Sequence, residues 1–242
     1  MEFKEWKYEP APDLDVSLEE RLRGFPREPQ IWVSALRRVA ALAIRGWLRL
    51  YHRLKVSGGE NLPLGQSFVI VANHQSHLDA PSLTTAIPLR HLHHCFPAAA
   101  EDYFFKNLPR TVFASVTMNA IPFCRTTGAR QGLTLCRQVL STPGSILILF
   151  PEGTRSGSDA VSRFGLGIGM LTEGLDVPVV PCFLEGASRA FPKGSWLPRP
   201  TKLHLTIGEP MSFGELPPGR ETVYQIAETL SQSVQALADS SS

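Results

Sequence analysis

The sequence has no apolar run near the roughly 20 residues that a membrane-spanning helix needs, so no bilayer-crossing segment is expected. It has four cysteines, Cys95, Cys124, Cys136 and Cys182, none of them in C-x-x-C spacing and all in or beside apolar segments. That arrangement excludes a disulfide framework and a zinc ribbon, and predicts buried free thiols in a reducing compartment. Charge of either sign is in short supply: 24 Lys and Arg stand against 22 Asp and Glu, a net charge of +2. With a pI near 8.4, no global excess suggests nucleic acid, and a basic patch would have to be local. A G-x-S-x-G elbow is absent, which argues against a serine hydrolase. The dinucleotide fingerprint is absent too, because Gly165, Gly167 and Gly169 are spaced two apart with no strand before them. These glycines read as close packing or as a mobile loop before a helix. The opening Met1-Glu2-Phe3-Lys4-Glu5-Trp6 is too charged for a secretory signal. The expected setting is therefore peripheral, on the cytoplasmic face of a membrane, or soluble.

What is present is enough to build one full core: 242 residues with 43% hydrophobic content favour one domain over two. Residues 1–30 alternate charges and prolines, with a short helical candidate at 17–22 capped by Ser17, and read as an arm. From Gln30 to Lys55 the apolar positions Trp32, Leu36, Ala40, Ala43, Trp47, Leu50, Tyr51 and Leu54 recur at helical spacing. Arg38, Arg45, Arg49 and Arg53 fall on the opposite side. Two readings stand open: a core helix with a solvated arginine face, or an interfacial helix lying on an anionic bilayer.

Phe68-Val69-Ile70-Val71-Ala72 is unbroken and largely β-branched, as a strand buried on both faces would be. It empties into Asn73-His74-Gln75-Ser76-His77-Leu78-Asp79. Positions five apart differ by roughly 140° on a helix and do not face each other. His74 must then sit on the turn and Asp79 in the first helical turn, where the carboxylate can hold one ring nitrogen and leave the other as a base. The alternative is a surface His beside an Asp that merely favours a helix N-terminus. The helix continues over residues 79–86 and stops at Pro88. His91, His93 and His94 follow, with no carboxylate partner at ligand spacing, so a metal site is not expected. An aromatic stretch from Tyr103 to Phe113 reads as core or as lipid-facing surface. Met118 to Phe123 is read as a short strand ending at Cys124-Arg125, and Gln131 to Leu140 as an amphipathic helix. Ser145 to Phe150 is a second buried strand, which delivers Pro151-Glu152-Gly153-Thr154-Arg155-Ser156 to the carboxyl edge of the sheet, where parallel α/β sheets bind ligands. Val177 to Leu184 is a third strand, and Lys202 to Ile207 a fourth, alternating as a half-exposed edge strand would. Glu221 to Leu237 closes the chain as a helix. The fold class is thus α/β, a mostly parallel mixed sheet flanked by helices, with an N-terminal amphipathic helical segment.

With these blocks in this order, the chain resembles the glycerolipid acyltransferases of the 1-acylglycerol-3-phosphate type over roughly residues 55 to 210. Asn-His-x-Ser-x-x-Asp and Phe-Pro-Glu-Gly-Thr-Arg-Ser in one chain are specific motifs. The resemblance implies that His74 and Asp79 are catalytic. It also implies that Arg125, Glu152, Gly153, Thr154 and Arg155 bind the phosphate-bearing acceptor, with no metal and no cofactor. The donor would be an acyl thioester, acyl-CoA or acyl carrier protein. The acceptor would be a lysophospholipid, foremost 1-acylglycerol-3-phosphate, converted to phosphatidate at a membrane surface. Another lipid or small hydroxyl acceptor, or a non-catalytic membrane-binding relative, are the alternatives. Residues 1–55 would be the arm and membrane-associating helix, and 56–242 the acyltransferase domain. One departure bears on the acceptor: Phe164-Gly165-Leu166-Gly167 stands where the family commonly has Phe-Lys-x-Gly. A cation is missing there, so either the acceptor is less anionic or Arg163 compensates. Cys124 is a second departure, since that position is frequently polar in the family.

Overall fold

A computed structural model describes residues 31–100, 113–123, 129–156 and 161–240. The elements in chain order are α1 (Ile31–Tyr51), β1 (Lys55–Ser57), β2 (Phe68–Ala72), α2 (Asp79–Ala86), β3 (Cys95–Ala100), β4 (Ile121–Phe123) and α3 (Ala129–Leu140). They continue as β5 (Ile146–Leu149), α4 (Gly167–Thr172), β6 (Val179–Glu185), α5 (Ala187–Ala190), β7 (His204–Ile207) and α6 (Arg220–Ser240). The seven strands form one sheet in the order β1-β7-β6-β2-β5-β3-β4. Strands β2 to β6 are mutually parallel where they pair, and β7 runs antiparallel to β6. The expected α/β class with a mostly parallel mixed sheet is what the chain adopts.

The unbroken apolar runs are explained by helices on both sides. In β2 the side chains of Phe68, Ile70 and Ala72 enter one core with Leu48 of α1 and Leu83 of α2. Val69 and Val71 enter the other, with Val139 of α3, Leu171 of α4 and Ile226 and Leu230 of α6. Period-two alternation thus feeds two hydrophobic layers from a single strand. Gly169 lets α4 approach α6 closely, since a Cβ there would lie 2.2 Å from the Val223 carbonyl oxygen. Close packing is therefore the role of this third glycine.

Two sequence expectations are corrected. Residues 202–207 do not form an edge strand: β7 lies between β1 and β6. Its alternation, with Leu205 and Ile207 buried, reports unequal cover on its two faces and says nothing about its lateral neighbours. The edge is β1, three residues long, which the helical reading had absorbed through Lys55. The helix ends at Tyr51 because the chain reverses at Arg53, whose φ is 47°. Strand β3 was not anticipated, because its sequence Cys-Phe-Pro-Ala-Ala-Ala carries little strand propensity. It forms because β5 and β4 flank it.

Helix α1 inverts the usual amphipathic arrangement. Arg45 is not on a solvated face: its guanidinium donates to the carbonyls of Thr84 and Ile87, at the C-terminal end of α2. Arg37 is 8% exposed and donates to the carbonyls of Ser115 and Val116, at the end of a single π-helical turn, Phe113–Thr117. Helix C-termini gather carbonyls at the negative end of the dipole, and both arginines place their charge and donors there. Burial lowers the Arg37 pKa to about 10. With the inner face taken by Arg37, Ala41, Ile44, Arg45 and Leu48, the outer stripe is apolar: Trp32 is 85% exposed and Leu50 84%, with Leu36 and Val39 between them. Among the described residues, no helix is long and apolar enough to cross a membrane.

Candidate active site

Strands β2 and β5 are parallel neighbours, so their carboxyl ends open at the same edge of the sheet. The turn after β2 is tied to the turn after β5: the His74 backbone N–H donates to Glu152 Oε1 at 3.1 Å, and the Ser156 N–H donates to the His74 carbonyl at 2.8 Å. On the other side Asn73 continues the ladder with β6 after the chain has turned away. Its side-chain amide donates to the Leu184 carbonyl at 3.0 Å and accepts the Leu184 N–H at 2.8 Å. The His74 turn is therefore held from two strands at once.

Asp79 opens α2 and is 1% exposed. Its Oδ2 accepts the N–H groups of Gln75 and Ser76 at 2.7 and 2.8 Å, and lies 2.8 Å from His74 Nδ1. Three donors on one carboxylate oxygen stabilise its charge in a buried position. The same contact assigns the proton to Nδ1 and leaves Nε2 as the acceptor nitrogen. The imidazole is stacked on Phe150 at 4.4 Å between centroids, and it is 14% exposed. The turn before the helix and the carboxylate in its first turn are where the spacing argument put them.

His74 lines a cavity of about 860 Å³, toward the upper end of the roughly 300–1,000 Å³ typical of ligand pockets. Its interior is apolar, walled by Pro97, Ala98, Phe123, Leu133, Ile168 and Leu171. Polar side chains on the wall include His77, Thr154, Arg155 and Lys193. Gly153, at φ 73°, makes the turn that brings Thr154 and Arg155 there. Gly165 and Gly167 also line the space, so the missing family lysine leaves open wall, while Lys193 enters from the segment after β6. Arg163 is exposed and does not line the cavity. Ile44 and Trp47 of α1 complete the wall. Arg125 lies outside the described residues.

Two residues differ from what their motifs suggested. Glu152 does not line the cavity; its carboxylate is turned to the His74 amide. Burial raises its pKa, and bonds from the His74 and Ser162 amides and the Ser162 hydroxyl lower it. Glu152→Gln keeps an oxygen for the His74 N–H, though its NH2 replaces the oxygen that faces Ser162, and is expected to be more stable than Glu152→Ala. Glu152→Ala, which leaves that N–H unpaired, should cost about 1–3 kcal/mol in chemical denaturation. Equal stability of the two variants would sink the positioning role. His77, which the pattern did not single out, sits half-buried between the two halves of the site. Burial first, then the neighbouring Arg155 and His74, push its pKa down to about 4, so it is a neutral imidazole at physiological pH. Cys95, Cys136 and Cys182 are free and buried, and burial pushes the Cys95 and Cys136 thiols up to about 12. Cys124 lies outside the described residues.

Comparison with known proteins gives a consistent picture. The family profile described as Acyltransferase matches residues 53–185. The chain is 30% identical over 133 residues to 1-acyl-sn-glycerol-3-phosphate acyltransferase alpha of Ovis aries, covering 55% of this chain and 45% of that protein. It is 30% identical over 148 residues to the chloroplastic 1-acyl-sn-glycerol-3-phosphate acyltransferase LPAT1 of Arabidopsis thaliana, covering 60% and 39%. The chain thus spans about half the length of the curated relatives it matches. Among solved structures, the 1-acyl-sn-glycerophosphate (LPA) acyltransferase PlsC from Thermotoga maritima superposes with a TM-score of 0.62 at 26% identity, over 86% of this chain and 80% of that one.

Proposed function

The chain belongs to the acyltransferase family, among the glycerolipid acyltransferases related to 1-acylglycerol-3-phosphate acyltransferases, and from that premise we propose that it moves a fatty acyl group from a thioester to the free hydroxyl of a lysophospholipid, foremost 1-acylglycerol-3-phosphate. The observation that carries this reading is the His74–Asp79 pair, 2.8 Å apart, with His74 on the wall of a large, mainly apolar cavity that Arg155 and Lys193 also line. A fatty chain matches the apolar space, and a phosphate matches Arg155 and Lys193.

In the proposed reaction, each step uses a group that the site holds. Asp79 holds the Nδ1 proton, and Nε2 removes the proton of the acceptor hydroxyl as its oxygen bonds to the thioester carbonyl carbon. The tetrahedral intermediate then expels the thiolate as the C–S bond breaks, and the imidazolium returns the proton to sulfur. Acyl-CoA and acyl carrier protein both supply such a thioester. Glu152, by holding the His74 backbone, is a positioning residue. Arg155 and Arg125 would clamp the phosphate, and Lys193 would stand in for the cation missing at Gly165. The outward apolar stripe of α1, flanked by exposed Arg38 and Arg49, fits a peripheral helix on an anionic bilayer, ahead of an acyltransferase domain over residues 56–242.

The test is acyl transfer by the purified protein with both thioester donors across a panel of lysolipid acceptors, with products identified by mass spectrometry. Arg155→Ala is expected to lower kcat/KM by about 10- to 100-fold for lysophosphatidate, as loss of a charge-assisted hydrogen bond does, mostly through KM, and to leave monoacylglycerol little changed. Equal losses on both acceptors would make Arg155 structural.

A further inference from the structure

Between β6 and β7 the chain makes an excursion whose tip is apolar. Trp196 is 85% exposed, as much as Trp32 of α1, and Leu197 is 55% exposed. This exposure belongs to a constrained loop. Ser76 Oγ, in the His74 turn, donates to the Phe191 carbonyl at 3.0 Å, and the Arg199 N–H closes the base onto the Ala190 carbonyl at 2.7 Å. Within the loop the Ser195 N–H donates to the Pro192 carbonyl and its Oγ to the Leu197 carbonyl. On the far side the Tyr51 hydroxyl donates to the Pro198 carbonyl at 3.1 Å, joining the loop to the last turn of α1 beside the exposed Leu50. The loop is thus fastened to the catalytic turn at one end and to the apolar-faced helix at the other.

Charge points the same way. Residues 191–202 carry Lys193, Arg199 and Lys202 and no Asp or Glu, while Arg189 before them is paired with Glu185 at 3.4 Å. An indole and a leucine held out in water, on a loop that carries Lys193, Arg199 and Lys202 and is joined to an apolar helix face, suit the headgroup level of an anionic bilayer, where amphipathic rings prefer to lie. We propose that residues 191–199 form a second lipid contact, in which Trp196 and Leu197 enter an anionic bilayer surface beside α1. Two attachment points set the tilt of the domain on the membrane, which one helix alone would leave free to roll. They also set where the cavity opens: Phe191 and Lys193 of this loop and Trp47 of α1 line the same cavity as His74. On the acyl-transfer reading, a lysolipid then passes from the bilayer to the base with its phosphate beside Lys193. The lipid contact itself does not depend on that reading.

The experiment uses the full chain and Trp196→Ala/Leu197→Ala, cosedimented with phosphatidylglycerol/phosphatidylcholine vesicles and with phosphatidylcholine alone. The double variant is expected to partition about tenfold or more weakly onto the anionic vesicles, the effect of two apolar side chains left in water. Its turnover of a short-chain, water-soluble lysolipid should match wild type. Trp196→Phe, which keeps an apolar ring, should recover most of the binding. Brominated acyl chains should quench a fluorescence component that is present in wild type and absent from Trp196→Ala. Unchanged partition of the double variant, or Trp196 emission equally open to acrylamide with and without vesicles, would overturn the proposal. Unchanged vesicle binding together with impaired use of a carrier-protein thioester would assign the loop to an acidic carrier protein instead. Weakened vesicle binding in a protein that transfers no acyl group would leave the lipid contact standing and remove the acyl-transfer reading.

Discussion

His74→Ala is expected to lower kcat by about 10³- to 10⁴-fold, because among the described residues no other base on the cavity wall is held by a carboxylate to accept the acceptor's proton. The half-buried His77 is no substitute: burial and the neighbouring Arg155 hold its pKa down to about 4, which makes it a weak base. Asp79→Asn is expected to fall in about the same range, from 10² to 10⁴, for a different reason. The asparagine oxygen would still accept from the Gln75 and Ser76 amides and from His74 Nδ1, all of which meet Oδ2, but the negative charge that stabilises the imidazolium formed during the reaction is lost. The NH2 would take the buried Oδ1 position, where no partner among the described residues receives it. The two variants separate on stability: His74 is partly exposed and its loss should leave the melting temperature near wild type, while the buried Asp79 should not be silent. The measurement is steady-state acyl transfer alongside a thermal melt. Near-normal turnover in folded His74→Ala would remove the catalytic assignment.

Asn73→Ala is expected to destabilise the protein by about 2–5 kcal/mol, since it leaves two buried backbone groups of Leu184 without partners. Burial of Asn73 at 1% exposure means that water cannot readily repair the loss. Activity should drop further than stability accounts for, because the same amide fixes the turn that carries His74. Asn73→Asp is the informative companion: it keeps an acceptor for the Leu184 N–H but sets a carboxylate against the Leu184 carbonyl, so it should be no better than alanine. Urea denaturation with fluorescence and circular dichroism checks both. A variant as stable as wild type would mean that the β2–β6 ladder closes without this side chain.

The sequence alone determined the class of the fold, the two central strands and the His74–Asp79 pairing. Each of these is local: an unbroken apolar run can only be a strand covered on both faces, and a five-residue spacing forces the base onto a turn and the carboxylate into a helix start. The end of α2 at Ala86 follows from Pro88 for the same reason. What tertiary structure decided was every question about which neighbour a residue meets. Strand β3 exists because β5 and β4 lie beside it, and the alternation of β7 could not distinguish an edge from an interior place. Glu152 carries a cavity-lining motif but faces the His74 amide, because two adjacent parallel strands bring their turns within hydrogen-bonding reach. The orientation of α1 was least legible. Periodicity divides a helix into an apolar and a basic side without saying which side faces in. Here the carbonyls at the ends of α2 and of the π-helical turn draw Arg37 and Arg45 inward and leave Trp32, Val39 and Leu50 outside.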